Sequence, residues 1–245
     1  MTSASPRLSG NGARFVLALL LILVSACSSS PRVDTSDEAW EVLASKRKAF
    51  EGARSYMRVR VTSARGRWRF NARVLVDGEG RMVMTGLSPM GTAVFTLNLE
   101  HDRVVLQDHH EKTVWEGVPE DLPGILGIQG SFSTRLLPFL LLALPPEAVD
   151  GRIVERMGDF IRVESGHAWM VVGRPGPIET LVVERGITIR ATYSLPSMPP
   201  ESVTIRTESD VEQIVELTHL ALTFEKTTVP PVEIDASYRG VAVSP

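Results

Sequence analysis

Arg67-Trp68-Arg69-Phe70-Asn71-Ala72-Arg73-Val74-Leu75-Val76 is the stretch that decides the fold. Trp68, Phe70, Ala72, Val74 and Val76 fall on one side, while Arg67, Arg69, Asn71 and Arg73 fall on the other. A period of two over ten residues marks a strand lying half buried on a sheet. Upstream, Val59 and Val61 alternate with Arg58 and Arg60 in the same way, and Ser63-Ala64-Arg65-Gly66 reads as the turn between the two strands. Downstream, Asp77-Gly78-Glu79-Gly80 makes a hairpin turn into Met82-Val83-Met84. Ser88-Pro89-Met90-Gly91 then turns the chain into a strand with Ala93, Phe95, Leu97 and Leu99 on one face. Further strands are expected near 103–107, 112–116, 160–164, 168–173, 178–184, 187–193, 201–208 and 211–225.

Two segments depart from this period. Before the strands, Thr35 and Glu38 have the spacing of a capping box, and Asp37 and Glu38 suit a helix N-terminus. Trp40, Leu43, Arg47 and Phe50 recur at helical spacing, which predicts a helix over 36–51 stopped at Gly52. Between the strands, Asp121 to Leu144 is a helical insertion of one or two short helices, ended by Pro145-Pro146. Leu136 to Leu144 is apolar nearly all round and needs cover on several sides. A buried helix satisfies that, and so does a lid over an apolar cavity; periodicity does not separate them. The fold class expected is mainly β (α+β): an incomplete antiparallel β-barrel, or strongly curved sheet, with helices covering its open side.

Farther out lies the single cysteine, Cys27. Arg7 and Arg14 are the only charges before it, Phe15 to Val24 is apolar, and Ser25 and Ala26 are small. That is the pattern of a signal peptide over 1–26, and the apolar run is about half the ~20 residues that cross a bilayer. Residues 27–34 form a short linker, 35–228 the domain, and 229–245 a C-terminal tail. The whole chain of 245 residues has a net charge of −3, which becomes −5 without Arg7 and Arg14. The acidic balance, with no clustered basic face evident along the chain, argues against a nucleic-acid partner.

Nothing in the chain has the pattern of a catalytic centre. His101, Asp108, His109, His110 and Glu111 cluster in sequence, but they fall at a strand end and a hairpin turn. Adjacent His109 and His110 would point to opposite faces of a strand, so no metal site is expected. No phosphate-binding glycine-rich loop occurs, and no cofactor is expected. Met90 is the unusual residue, because turn tips favour polar side chains and glycine. Its thioether would either meet a membrane or an apolar partner, or fold back on its own sheet.

The order of these features resembles the LolB family of lipoprotein receptors of Gram-negative outer membranes. Val24-Ser25-Ala26-Cys27 is similar to a lipobox, which implies that Cys27 is lipidated. Gly86-Leu87-Ser88-Pro89-Met90-Gly91-Thr92 and the strand Phe95-Thr96-Leu97-Asn98-Leu99 look like the family's Asn-Pro-Leu-Gly loop and the strand after it. Arg103 to Glu116 is similar to the next hairpin, Leu122 to Pro145 to the helical lid, and Met198-Pro199-Pro200 to the entry to a late strand. The resemblance runs from the lipobox to about residue 225.

It implies an apolar cavity that takes acylated lipoproteins from a LolA-type periplasmic carrier and releases them to the outer membrane. Pro89, Met90 and Gly91 would form the membrane-contact loop, with methionine where the family has leucine. Trp68, Phe70, Phe95, Leu97 and Leu140 are the expected cavity lining. Ser28 after the lipidated cysteine, where the family's sorting logic reads an aspartate as a retention signal, implies the periplasmic face of the outer membrane. A non-catalytic, lipid-anchored monomer is expected. Two alternatives stay open: a lipoprotein that carries another apolar ligand, and a structural lipoprotein whose sheet binds a protein partner.

Overall fold

The computed structural model describes residues 35–63, 66–121, 136–145, 152–165, 168–174, 176–184, 187–194, 200–208 and 213–241. Cys27 and the 1–34 segment, residues 122–135 of the insertion, and Met198 and Pro199 lie outside them. Residues 34–245 form one compact unit. Its first element is helix α1 (Ser36–Lys48). The Thr35 hydroxyl accepts from the Glu38 N–H, and the Glu38 carboxylate accepts from the Thr35 N–H, each at 3.2 Å. These bonds satisfy two donors that a helix start leaves unpaired. The helix stops three residues before the expected end, capped at Ala49 after Lys46, Arg47 and Lys48.

Gly52 therefore does not end the helix but opens the first strand. Its φ is +146°, and a Cβ there would lie 2.7 Å from that of Thr227. The strands are β1 (Gly52–Ser63), β2 (Gly66–Asp77), β3 (Met82–Leu87), β4 (Ala93–Leu99), β5 (Val104–Asp108) and β6 (Thr113–Gly117). After the insertion come β7 (Arg152–Met157), β8 (Phe160–Ser165), β9 (Ala168–Gly173), β10 (Gly176–Glu184), β11 (Ile187–Tyr193), β12 (Ser202–Glu208), β13 (Gln213–Phe224) and β14 (Arg239–Gly240). They make one sheet in the order β14-β6-β5-β4-β3-β2-β1-β13-β12-β11-β10-β9-β8-β7, curved but not closed. Every neighbouring pair is antiparallel except β14 with β6.

One core spans the curved sheet. Val104 and Trp115 on β5 and β6 share one apolar cluster with Ala168 and Val182 on β9 and β10. In the strand order β5 and β10 are eight spacings apart and β6 and β9 are ten. Every strand between them adds a side chain to that cluster, so one continuous core lines the inner face of the curved sheet. The alternation in β1 and β2 sets that face: Met57, Val59, Ala72, Val74 and Val76 are buried, while Arg54, Arg58, Arg60, Arg67, Arg69 and Arg73 are exposed.

Helix α2 (Leu137–Leu142) belongs to the same cluster and is buried along its length. It ends where Ala143 turns left-handed (φ 54°) and Leu144 donates back to the Phe139 carbonyl, just before Pro145. The connection that carries α2 runs from β6 to β7, strands at opposite sides of the sheet. Helix α1 packs against β8, β9 and β10, with Ala39 and Leu43 buried and Asp37 paired to Arg156 of β7 at 2.7 Å.

Residues 225–241, which take in most of the 229–245 tail, run along the sheet. β13 and β14 flank the block β1 to β6, so residues 225–238 must cross that block. They do so on the outer face, where Val83, Val105, Asn98 and Gln107 are buried on the side opposite Met82 and Leu97. Gln107 Nε2 donates to the Glu233 carbonyl at 2.8 Å, His109 Nδ1 bonds the Tyr238 hydroxyl, and Arg239 N–H donates to the Lys112 carbonyl. The strap ends as a two-residue parallel strand on β6.

Candidate functional site

The inner face of the sheet is packed at one end and open at the other. Along β2, Val76, Val74 and Ala72 are buried, Phe70 is half-buried, and Trp68 is 46% exposed. The same change runs along β1, where Met57 and Val59 are buried and Val61 is only partly so. Val61 lies opposite Trp68 on one side and Val215 on the other, so the open end carries a line of apolar side chains across β13, β1 and β2. These residues form the rim of the concave face.

Of the expected lining residues, Phe70 and Phe95 meet edge to face, with centroids 5.2 Å apart. The Phe95 ring lies over Gly86, so closely that any Cβ there would clash with it. That approach is why a glycine stands near the end of β3. Leu97 is buried below them, and Leu140 of α2, 1% exposed, is part of the packed floor. Trp68 stands at the rim. The five thus share one apolar face at graded depth.

Met90 lies level with that rim. The last β2–β3 pair is Asn71 with Leu87, so the β3–β4 turn extends beside Arg69 and Arg67. The turn is held by its own polar groups. Gly91 N–H donates to the Ser88 carbonyl at 2.9 Å and Ser88 N–H to the Thr92 carbonyl at 2.8 Å. The Ser88 hydroxyl bonds that of Thr92 at 2.7 Å and accepts from Met90 N–H at 3.2 Å. With the backbone satisfied, the Met90 side chain does not fold back; it is 95% exposed.

Polar contacts fix α2 to its surroundings. Arg47 of α1 donates through Nε to the Pro145 carbonyl at 3.2 Å, and its guanidinium stacks 4.0 Å from the Phe139 ring centre. Burial lowers the Arg47 pKa from its ordinary value. On the other side, His219 Nε2 lies 3.1 Å from the Leu141 carbonyl, and Nδ1 lies 2.8 Å from the Ser55 hydroxyl. A carbonyl only accepts, so Nε2 carries the proton and Nδ1 accepts from Ser55. Burial lowers the His219 pKa, partly offset by the bond to Leu141. Between Tyr56/Ala221 and Met57/His219 the β1–β13 register shifts by one residue, a bulge at Leu220 that aims His219 inward. Sequence periodicity carries no mark of this latch, because its partners lie 78 and 164 residues away.

The histidine cluster is accounted for by structure. Asp108 Oδ1 accepts from the His110 and Glu111 N–H groups, and His109 bridges Thr96 and Tyr238. Among the described residues, no three His, Cys, Asp or Glu side chains converge as metal ligands. A pocket of about 220 Å³ lies at the opposite end of the sheet from the rim, among Lys46, Phe50, Leu144, Phe224 and Lys226. The outer face of β1 and β2, by contrast, gathers six exposed arginines, which corrects the expectation that the chain has no clustered basic face.

Comparison with protein-family models finds no match, and neither does comparison with curated proteins. Among solved structures, similarity extends to a LolA-superfamily protein of Nitrosomonas europaea, at 9% identity and TM-score 0.49 over 80% of this chain and 95% of that one. A domain from Vibrio parahaemolyticus described as outer-membrane lipoprotein-sorting gives 12% identity and TM-score 0.47 over 78% and 94%. A DUF1329-family protein of Desulfovibrio piger gives 8% identity and TM-score 0.47 over 80% and 94%.

Proposed function

We propose that the protein is a lipid-anchored receptor that holds the acyl chains of lipoproteins against the concave face and passes them to the outer membrane. The observation that carries this reading is the graded inner face: an apolar surface with α2 seated on its floor and Trp68 left exposed at its rim. Water-to-apolar transfer gains about 0.8 kcal/mol per methylene, so long acyl chains need a shielded path across an aqueous space. Dispersion and hydrophobic contact suffice for that task, and the reading asks for no covalent step. Phe70, Phe95 and Leu97 would contact the chains first, and displacement of α2 would expose Leu140 beneath them. Met90, exposed on a rigid turn level with the same rim, would touch the bilayer at release. Cys27 would carry the lipid that tethers the protein to the periplasmic face of the outer membrane.

The test is titration of the protein with a triacylated lipopeptide, read through tryptophan fluorescence. Saturable binding that shifts the emission, with the shift lost in Trp68→Phe, supports the reading. No binding, or a shift that persists unchanged in Trp68→Phe, counts against the rim as the entry.

A further inference from the structure

The outer face of the β1–β2 hairpin carries Arg54, Arg58, Arg60, Arg67, Arg69 and Arg73, all exposed. Arg54 pairs with Glu225 and Arg60 with Glu216. Arg58, Arg67, Arg69 and Arg73 have no carboxylate or other side-chain partner among the described residues. Such a concentration is unusual in a chain whose net charge is −3. Arg60 and Arg69 stand directly opposite each other in the β1–β2 register, and like charges so placed are destabilising. Every cation on this face is arginine, although the chain also contains lysine. A guanidinium fork binds phosphate through two parallel hydrogen bonds and is weakly hydrated, which suits it to a phosphate layer.

Position decides between possible anionic occupants. Arg67 and Arg69 flank Trp68, the exposed aromatic of the rim, and lie past the last β2–β3 pair, level with the turn that exposes Met90. An apolar tip, an aromatic side chain and adjacent cations at one end of a sheet make an amphipathic edge. Surfaces of that kind seat in the headgroup region of a membrane, with apolar groups below and cations among the phosphates.

We infer that the arginine face of the β1–β2 hairpin, with Arg67 and Arg69 foremost, docks the rim onto an anionic phospholipid bilayer. This rests on the reading of the protein as one that delivers acyl chains to a membrane. Docking would lay the open end of the concave face against the bilayer, so that acyl chains leave without crossing water. Arg58, level with Asn71 and about 7 Å behind Arg69, lies within the surface potential, which reaches about 8–10 Å at physiological salt, whereas Arg73 lies beyond it.

The test uses residues 34–245, a compact unit whose core cluster is drawn from its own side chains, so that no anchor masks the contact. Its partitioning is measured by co-sedimentation with vesicles of phosphatidylcholine alone and of phosphatidylcholine with 30% phosphatidylglycerol. Each basic residue near an anionic surface contributes about 1 kcal/mol, which is about a fivefold change in partitioning. The expected result is tighter binding to the anionic vesicles, about 25-fold weaker in R67Q/R69Q and weakened less in R67K/R69K, which keeps the charge and loses the fork. Equal binding of the unsubstituted unit to both vesicles would overturn the inference, as would R67Q/R69Q binding like it. If R67Q/R69Q keeps vesicle binding but loses binding to immobilised poly-L-glutamate, the face docks an acidic protein and the inference fails. Failure of lipopeptide binding with arginine-dependent vesicle binding intact would instead remove the acyl-chain reading and leave the docking surface standing.

Discussion

The two ends of strand β2 carry the same alternation and have different fates. At Ala72, Val74 and Val76 the inward side chains are sealed by α2 and the neighbouring strands; at Phe70 and Trp68 they are progressively uncovered. The outward side chains differ too, since the sealed end lies beside the C-terminal strap and the open end carries unpaired arginines. A sheet that only needed stability would close both ends. The difference teaches that packing at the floor holds the curvature, while the rim is left with apolar surface available for a ligand.

The largest effect expected from breaking this contrast is at the floor. Leu140→Ala removes a fully buried side chain and should destabilise the protein by about 3 kcal/mol in urea denaturation. A change below about 1 kcal/mol would mean that α2 is loosely seated. On the β10–β11 side, the buried Tyr193 hydroxyl donates to Thr180 at 3.0 Å, and burial pushes the phenol pKa well up. Tyr193→Phe should cost about 1–2 kcal/mol, because the Thr180 hydroxyl stays buried with its partner gone. An unchanged denaturation midpoint would show that the packed region stops short of this pair.

The His219 latch gives a smaller, pH-dependent effect. Its folded pKa lies below the ordinary 6.5, so above that pH the imidazole is neutral in both states and its contribution is constant. As pH falls through 6.5 the unfolded chain takes up a proton that the folded protein resists, and stability falls until the lowered folded pKa is passed. His219→Gln should make this fall shallower when stability is followed from pH 8 to pH 5; an identical slope would detach His219 from the effect. The smallest stability change is expected at the rim. Trp68→Ala should cost under about 1 kcal/mol, since nearly half of the side chain is already in water, yet it should weaken lipopeptide binding.

Much of this molecule is legible from local pattern. The alternation in β2 identifies the inward face, Asp77-Gly78-Glu79-Gly80 forms the expected turn, and Asp77 accepts there from the Glu79 and Arg81 N–H groups. The β3–β4 turn is equally readable, because proline and glycine occupy positions that their backbones favour. Strand β7 was not legible: as an edge strand it is exposed on nearly every residue, and no buried alternation marks it. Nor was the strap, whose two-residue strand has no period and which is held by side chains more than a hundred residues distant. Phe50 continued the helical spacing of α1, but it lies beyond the helix end and packs edge-on against Phe139 and Phe224. The arginine face was visible residue by residue; its meaning depends on which strands end beside it, and that is a property of register.

The central claim, that the concave face holds lipoprotein acyl chains, is tested most directly by native mass spectrometry of the whole protein purified from membranes in mild detergent. The expected result is a population heavier by the mass of a triacylated polypeptide, lost when Leu97→Trp adds bulk to the inner face beneath Phe70 and Phe95. Only unliganded protein, or a bound mass that survives Leu97→Trp, would contradict it.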